Sequence, residues 1–161
     1  EASVFFQADG EMWSFGAAIA LVAIERETGH VSVEKLVWVD DAGNIINPLL
    51  TEGQLHGALA QGYGQVFLEE IVYGADGQLV TGTLMDYAIP RADDMPLPIL
   101  DKTVTPSPKN PLGAKGVGEG GCIAVPPAIV NAVVDALTPF GATTLDMPLT
   151  PEKVWRALQE A

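Results

Sequence analysis

This chain is poor in cysteine, histidine and basic residues, and each shortage excludes something. Its one cysteine, Cys122, rules out an internal disulfide and a cysteine-built metal cluster. A lone thiol fits a reducing compartment, and a cytoplasmic location is the expectation. Cys122 reads as packing rather than as a nucleophile, because no histidine partner is evident. The two histidines, His30 and His56, fall in different elements with no second ligand at a useful spacing. Both read as structural, and no residue is assigned to a metal. Eight Lys and Arg stand against 21 Asp and Glu, a formal charge of −13. Such a surface repels phosphate backbones, so nucleic acid is excluded as a partner. Most of these acids read as solvated surface. No apolar run reaches about 18 residues free of charge, so no membrane span is expected, and no signal peptide is visible. The first residue is Glu, not Met, which suggests a fragment or a processed subunit.

What is present is apolar and rich in glycine. Hydrophobic residues make up 48% of 161, enough for one domain, residues 1–161, with a real core. Residues 13–27 alternate loosely and read as a strand ending at Thr28-Gly29, with Val31 to Asp40 pairing back as a hairpin. Asp41 to Pro48 is a loop by its turn residues. Asp40 and Asp41 form an acidic pair at the strand end that holds either a turn or a cation, the turn being the safer reading.

Thr51-Glu-Gly-Gln54 has the pattern of a capping box opening a helix to about Glu70. This helix carries Gly53, Gly57, Gly62 and Gly64, each costing about 1 kcal/mol against alanine. Gln54 and Gln61 share a face, with Gly57 and Ala58 between them. Small residues flanked by amides suit either a tight helix–helix contact or a large polar ligand. Ile71 to Tyr73 and Leu79 to Tyr87 read as a second hairpin around Ala75-Asp-Gly77. The proline-rich stretch 90–113 is extended loop with one strand near Ile99 to Val104. Residues 122–137 look helical, with Pro126 and Pro127 in a first turn. Thr143 to Met147 reads as a last short strand, and Thr150 caps a C-terminal helix. The sum is an α+β domain of mixed hairpins with packed helices.

The densest chemical signal is Gly113-Ala-Lys-Gly-Val-Gly-Glu-Gly-Gly121. Glu119 stands among Gly116, Gly118, Gly120 and Gly121, residues that let a ligand approach the main chain. A lone carboxylate presented this way, close to a helix N-terminus, suits a catalytic base aimed at something bulky. Gly116-x-Gly118-x-x-Gly121 also has the spacing of a dinucleotide fingerprint. Against that, Pro106, Pro108 and Pro111 precede it where a strand should stand, and the chain after Asp146 is too short for a nucleotide-binding half. A plain glycine-rich turn is the bland alternative.

Several segments together resemble the C-terminal part of the molybdenum-binding large subunit of the xanthine oxidase family, in the style of the aerobic carbon monoxide dehydrogenases. They are Trp13-Ser-Phe-Gly16, Asp41-Ala-Gly43 with Asn47-Pro48, and Glu52-Gly-Gln-x-x-Gly-Ala-x-x-Gln-Gly62. Leu68-Glu-Glu70, Tyr87-x-Ile-Pro90 and Lys115-Gly-Val-Gly-Glu119 complete the set. The resemblance runs through nearly the whole chain in order. It implies a fold that forms one wall of a molybdopterin site, in its cytosine dinucleotide form. It implies that Glu119 is the active-site glutamate, acting as base toward a molybdenum-bound hydroxide. It implies that Gln54 contacts the pterin, and that main-chain groups of Lys115, Gly116, Val117 and Gly118 line the site. The implied activity is oxidation of an aldehyde or N-heterocycle with water-derived oxygen. The expected partners are the rest of the molybdenum subunit, a 2Fe-2S subunit and an FAD-bearing flavoprotein, in an oligomer. Two other readings stay open: a dinucleotide-binding domain on the 116–121 glycines, and a structural or assembly subunit without catalysis.

Overall fold

A computed structural model describes residues 1–5, 7 and 10–159. Strand β1 (Phe15–Ile24) pairs antiparallel with β2 (Val31–Asp41), with a register irregularity at Leu21/Val22. The connecting turn closes through Thr28, whose hydroxyl donates to the Glu25 carboxylate at 2.6 Å. Gly29 completes it at φ +74°, with the C-terminal helix packed so tightly behind it that a Cβ there would press on Trp155. The short strand β3 (Ile99–Lys102) joins the other edge of β2 in parallel, giving the order β1-β2-β3.

Helix α1 (Pro48–Phe67) and helix α2 (Gly120–Leu137) cover one face of this sheet. A short 3₁₀ turn (Thr138–Phe140) leads on toward α3 (Pro151–Gln159). The α2 stripe Val125, Ile129, Val133 and Leu137 repeats every four residues and is fully buried. It packs with Leu36 and Trp38 of β2, Leu59 and Val66 of α1, and Val154 of α3. By length and composition α2 with the following turn could cross a membrane, but that buried stripe makes it the core helix of this domain.

The two helices meet through small residues. A Cβ on Gly121 would lie 2.9 Å from the Leu59 backbone nitrogen, and one on Gly62 would lie 3.0 Å from Val125 Cβ. The glycine face of α1 therefore divides. Gly62 and Gly64 serve close packing, whereas Gly53 and Gly57 have open space around them.

Five expectations need correction. The N-cap of α1 is Asn47, whose Oδ1 accepts from Leu50 N–H at 3.2 Å, with Pro48 in the first turn. Thr51 and Gln54 therefore lie inside the helix and form no capping box. Second, α1 ends at Phe67 rather than Glu70, its last turn closed by Leu68 and Glu69 N–H on the Gly64 carbonyl. Third, α2 starts at Gly120, so Pro126 and Pro127 sit within it rather than in its first turn. Both rings lie about two turns in, where they leave the carbonyls of Cys122 and Ile123 without their helical donors. Fourth, residues 71–87 hold only one isolated bridge, Tyr73 with Leu79, because Thr83 and Asp86 fold the chain into a local turn before a second strand can run. Fifth, residues 143–147 form no strand, since the sheet ends at β1 and β3 without them. The α+β class stands, as does the Thr150 cap, whose hydroxyl accepts from Lys153 N–H at 3.3 Å.

Candidate active site: the 113–121 loop and its clasp

The loop is anchored at its start. Asp41, at the end of β2, is buried and accepts four hydrogen bonds. They come from Gly43 N–H (3.0 Å), Thr105 N–H (3.0 Å), the Thr103 hydroxyl (2.9 Å) and the Lys115 ammonium (3.0 Å). Burial by itself would raise its pKa, but the bonds from Thr105, Lys115 and Gly43 outweigh it and hold the carboxyl well below the usual range. The Lys115 side chain is 7% exposed and also lies 4.2 Å above the Phe15 ring. Lys115 N–H bonds the Ala42 carbonyl at 2.8 Å. Gly43 and Gly113 both take positive φ, and Gly113 gives its carbonyl to Asn44 and Ser107 N–H. Asn44 returns a side-chain bond to the Leu112 carbonyl at 2.9 Å.

Beyond Lys115 the bonding stops. Among the described residues, the N–H groups of Gly116, Val117 and Gly118 find no protein acceptor. Gly116 has nothing within 4 Å of where a Cβ would stand, and at Gly118 the only neighbour is Gln54 Oε1, 3.7 Å away. Gln54 thus faces the strip from the second turn of α1. On one side the strip borders an open cleft of about 500 Å³ lined by Glu119, Trp38, Phe15, Trp13 and Ile123. On the other it borders a hollow of about 300 Å³ lined by Gln54, Leu50, Ile45 and Lys115. Val117 takes part in both walls.

Glu119 is the N-cap residue of α2, yet its carboxylate makes no capping bond. It is exposed, with no hydrogen bond or ion pair from its side chain among the described residues. An acid at this position would normally satisfy the first-turn N–H groups. Here it is left free at the mouth of the larger cleft. Cys122 gives its Sγ–H to the Glu119 carbonyl at 3.1 Å, which fixes the backbone and not the carboxylate.

The structure brings Glu119, Gln54 and residues 115–118 together. His30 and His56 lie elsewhere, and the described residues contain no group of three His, Cys, Asp or Glu placed to hold a metal ion. Gln61 is exposed, two turns further along α1 on the same face as Gln54. Two quoted segments, Leu68–Glu70 and Tyr87–Pro90, prove to be one clamp. The Tyr87 hydroxyl donates to the Glu69 carboxylate, and Pro90 packs so closely on Gly64 that no side chain fits there.

Asp40 is the residue that reading the sequence undervalued. It is 2% exposed, and neither its carboxylate oxygens nor the nearby Trp38 indole N–H has a protein partner. Its carboxylate reaches Gly120, at the start of α2. Burial pushes its pKa up; the Trp38 indole N–H, close by but outside hydrogen-bond geometry, pulls it back in part, and the neighbouring Asp41 charge adds to the rise. The signal was present as an acid on the inward-facing phase of β2, next after Leu36 and Trp38.

The glycine strip lacks the setting a dinucleotide fingerprint needs. It follows turns at 108–112 and an isolated bridge at Ala114 rather than a strand, and Gly121 is used for helix packing. What the fold and site define is a cradle: open backbone donors, a facing amide and a free carboxylate, suited to a large, flat, polar cofactor.

Comparison with known proteins agrees. The molybdopterin cofactor-binding domain family matches residues 1–96. The carbon monoxide dehydrogenase large chain of Hydrogenophaga pseudoflava is 41% identical over 99% of this chain, which covers 20% of that protein. The nicotine 6-hydroxylase large subunit of Paenarthrobacter nicotinovorans is 43% identical over 91% of this chain and 18% of its own. Among solved structures, quinoline 2-oxidoreductase from Pseudomonas putida 86 superposes with TM-score 0.83 at 45% identity, over 88% of this chain and 18% of that one. Carbon monoxide dehydrogenase from Oligotropha carboxidovorans gives 0.86 at 35% identity, over 91% and 18%. The chain belongs to the molybdenum-binding large-subunit family of xanthine oxidase-type oxidoreductases. It spans about a fifth of the length of these relatives.

Proposed function

We propose that this chain is one wall of a molybdenum hydroxylase site, working within a larger molybdenum subunit that oxidises an aldehyde or N-heterocycle with water-derived oxygen. The observation that carries this reading is the uncommitted carboxylate of Glu119, placed beside a strip of unbonded backbone donors. The residues fit a molybdopterin. The N–H groups of Gly116, Val117 and Gly118 offer donors to its polar edge, and the Gln54 amide offers both donor and acceptor. No side chain on either glycine blocks the approach. When bound, a molybdenum centre supplies two-electron oxidation and an acidified water-derived nucleophile.

The chain's own part is positioning and proton transfer. Glu119 accepts, on a carboxylate oxygen, the proton released as the nucleophile attacks the substrate carbon. Its exposed seat in an open cleft lets the opposing wall complete the enclosure. Trp13, Phe15 and Ile123 give that cleft an apolar rim suited to a flat organic substrate. In this reading residues 1–161 form a single domain of the subunit, the cofactor is the cytosine dinucleotide form, 2Fe-2S and FAD sit on partner subunits, and the assembly is cytoplasmic. The relatives are named for carbon monoxide, nicotine and quinoline.

The test is Glu119→Gln in the assembled enzyme. The amide keeps the shape and removes the basicity, so turnover should fall about 10²–10⁴-fold with molybdenum content unchanged. Near-normal rates at full molybdenum content would leave the loop as a structural turn.

A further inference from the structure

We infer that the outer face and free edge of the β1–β2–β3 sheet are a docking surface for the remainder of the molybdenum subunit, which adds an extended apolar strand to β1. The inference rests on the chain being part of such a subunit, and it says which surface the remainder uses.

The helices cover only one sheet face. Ala18, Ala20, Val22 and Ile24 point into the core, and the alternate residues of β1 point away from it. Those outward residues should be polar if this face met water. They are Ala17, Ile19 and Leu21, with Ile19 68% and Leu21 49% exposed. Their cross-strand neighbours continue the patch. Ala17 pairs with Val39, Ile19 with Val37, and Val37 with Ile99, itself 54% exposed. The outer face is therefore apolar from Ala17 and Ile19 across Val37 and Val39 to Ile99, with Lys35 opposite Leu21 and Asp101 beside Val39 at its rim.

The edge shows the same lack of protection. Strand β1 is a sheet edge, so its side away from β2 carries unpaired N–H and C=O groups along ten residues. Exposed edges are ordinarily guarded by lysine, proline or a short length. Phe15–Ile24 contains no charged residue and no proline. The register irregularity opposite Leu21/Val22 inserts Glu34 of β2 and leaves the edge strand itself without a bulge. Such an edge is built to be covered.

Two observations choose the occupant. The relatives hold about five times as much chain as this one, so most of a family subunit lies outside it and is available to cover the sheet. A second copy is disfavoured because each carries a charge of −13, and like charges accumulate across a symmetric interface.

The experiment uses the chain alone and co-assembled with the complementary part of the molybdenum subunit. Hydrogen exchange is followed by mass spectrometry. The chain alone should show fast exchange at alternate amides of residues 15–24. Assembly should slow them about tenfold or more, while the already buried amides of α2 stay unchanged. Ile19→Lys and Leu21→Lys replace side chains exposed in the chain alone, so circular dichroism should report an intact fold. Each should weaken assembly at least about tenfold. Three results would overturn the inference: no added protection over 15–24 in the complex, full assembly of both lysine variants, or a self-dimer that protects this edge and persists with the complementary part present. Failure of the proposed catalytic role would show as normal turnover in Glu119→Gln, and would leave the exchange result untouched.

Discussion

Residues 41–44 and 110–115 are held by hydrogen bonds at nearly every turn, whereas the N–H groups of the next three residues, 116–118, make none to the protein. The contrast runs through the side chains as well. Asp41 is buried and accepts four bonds, while the exposed Glu119 carboxylate accepts none among the described residues. A backbone strip with free donors stays in one shape only if its ends are fixed elsewhere. The Asp41–Lys115 clasp fixes one end and the packing of Gly121 against α1 fixes the other. The difference teaches that the binding strip is preorganised by its neighbours, which spares it from spending its own polar groups on folding.

Breaking the clasp should have the largest effect on the fold. Lys115→Met keeps the apolar stem near Phe15 and removes the charge, leaving Asp41 buried without its cation. A single unpaired buried partner is strongly destabilising, so the Tm should fall on the order of 10 °C. The pH dependence follows from the sign of the shift. Asp41 has a folded pKa below its unfolded value, so its contribution is present above about pH 4 and is lost as pH falls through the depressed value. Without Lys115 the folded value rises, and acid unfolding should begin at higher pH. Thermal melts between pH 2 and 8 measure both effects. An unchanged Tm would mean the strip is not held by this clasp.

The strip itself should respond in the opposite way. Gln54 is exposed and faces Gly118, so Gln54→Ala should leave the Tm of the chain nearly unchanged. In the assembled enzyme it should weaken cofactor retention by about 1–3 kcal/mol, read as lower molybdenum content after dialysis. A large loss of stability in the chain alone, with molybdenum retained, would reverse the assignment of roles between the two regions.

The same contrast explains what was legible in the sequence. The hairpin, the length of α1 and the glycine-framed Glu119 were readable because local pattern decides them: alternation, periodicity and a lone acid among glycines. The clasp was not, because Asp41 and Lys115 stand 74 residues apart and only the fold brings them together. The start of α2 was hidden because Pro126 and Pro127 resemble a first turn, while the true start at Gly120 depends on Gly121 fitting against Leu59 and Ala58. The pattern at Thr51 mimics a capping box, but Asn47-Pro48 is the stronger start, with a side-chain acceptor followed by a ring that needs no donor. The second hairpin failed because Thr83 and Asp86 compete locally for the backbone.

Asp40 gives the smallest and sharpest test, because it sits beside Asp41 with none of its partners. Its folded pKa is raised by burial, with the nearby Trp38 indole N–H opposing, Asp41 adding and Lys115 opposing. For an acid shifted upward, the favourable contribution is full below the unfolded value near 3.9 and is lost as pH rises through the folded value. Ionised Asp40 therefore costs stability at neutral pH. Asp40→Asn removes that titration while keeping the shape. The variant should melt a few degrees higher than the parent at pH 7, on the order of 2–4 °C. The gap should close toward pH 3, where the parent is also neutral at this position. Equal melting temperatures at pH 7 would mean that Asp40 stays protonated there. A lower melting temperature for Asp40→Asn at pH 7 would mean that the charge is stabilised, with the free N–H groups at the start of α2, beside Gly120, as the nearest source. The two adjacent aspartates would then both be anchors, and the contrast between a braced region and an open one would begin only at Gly116.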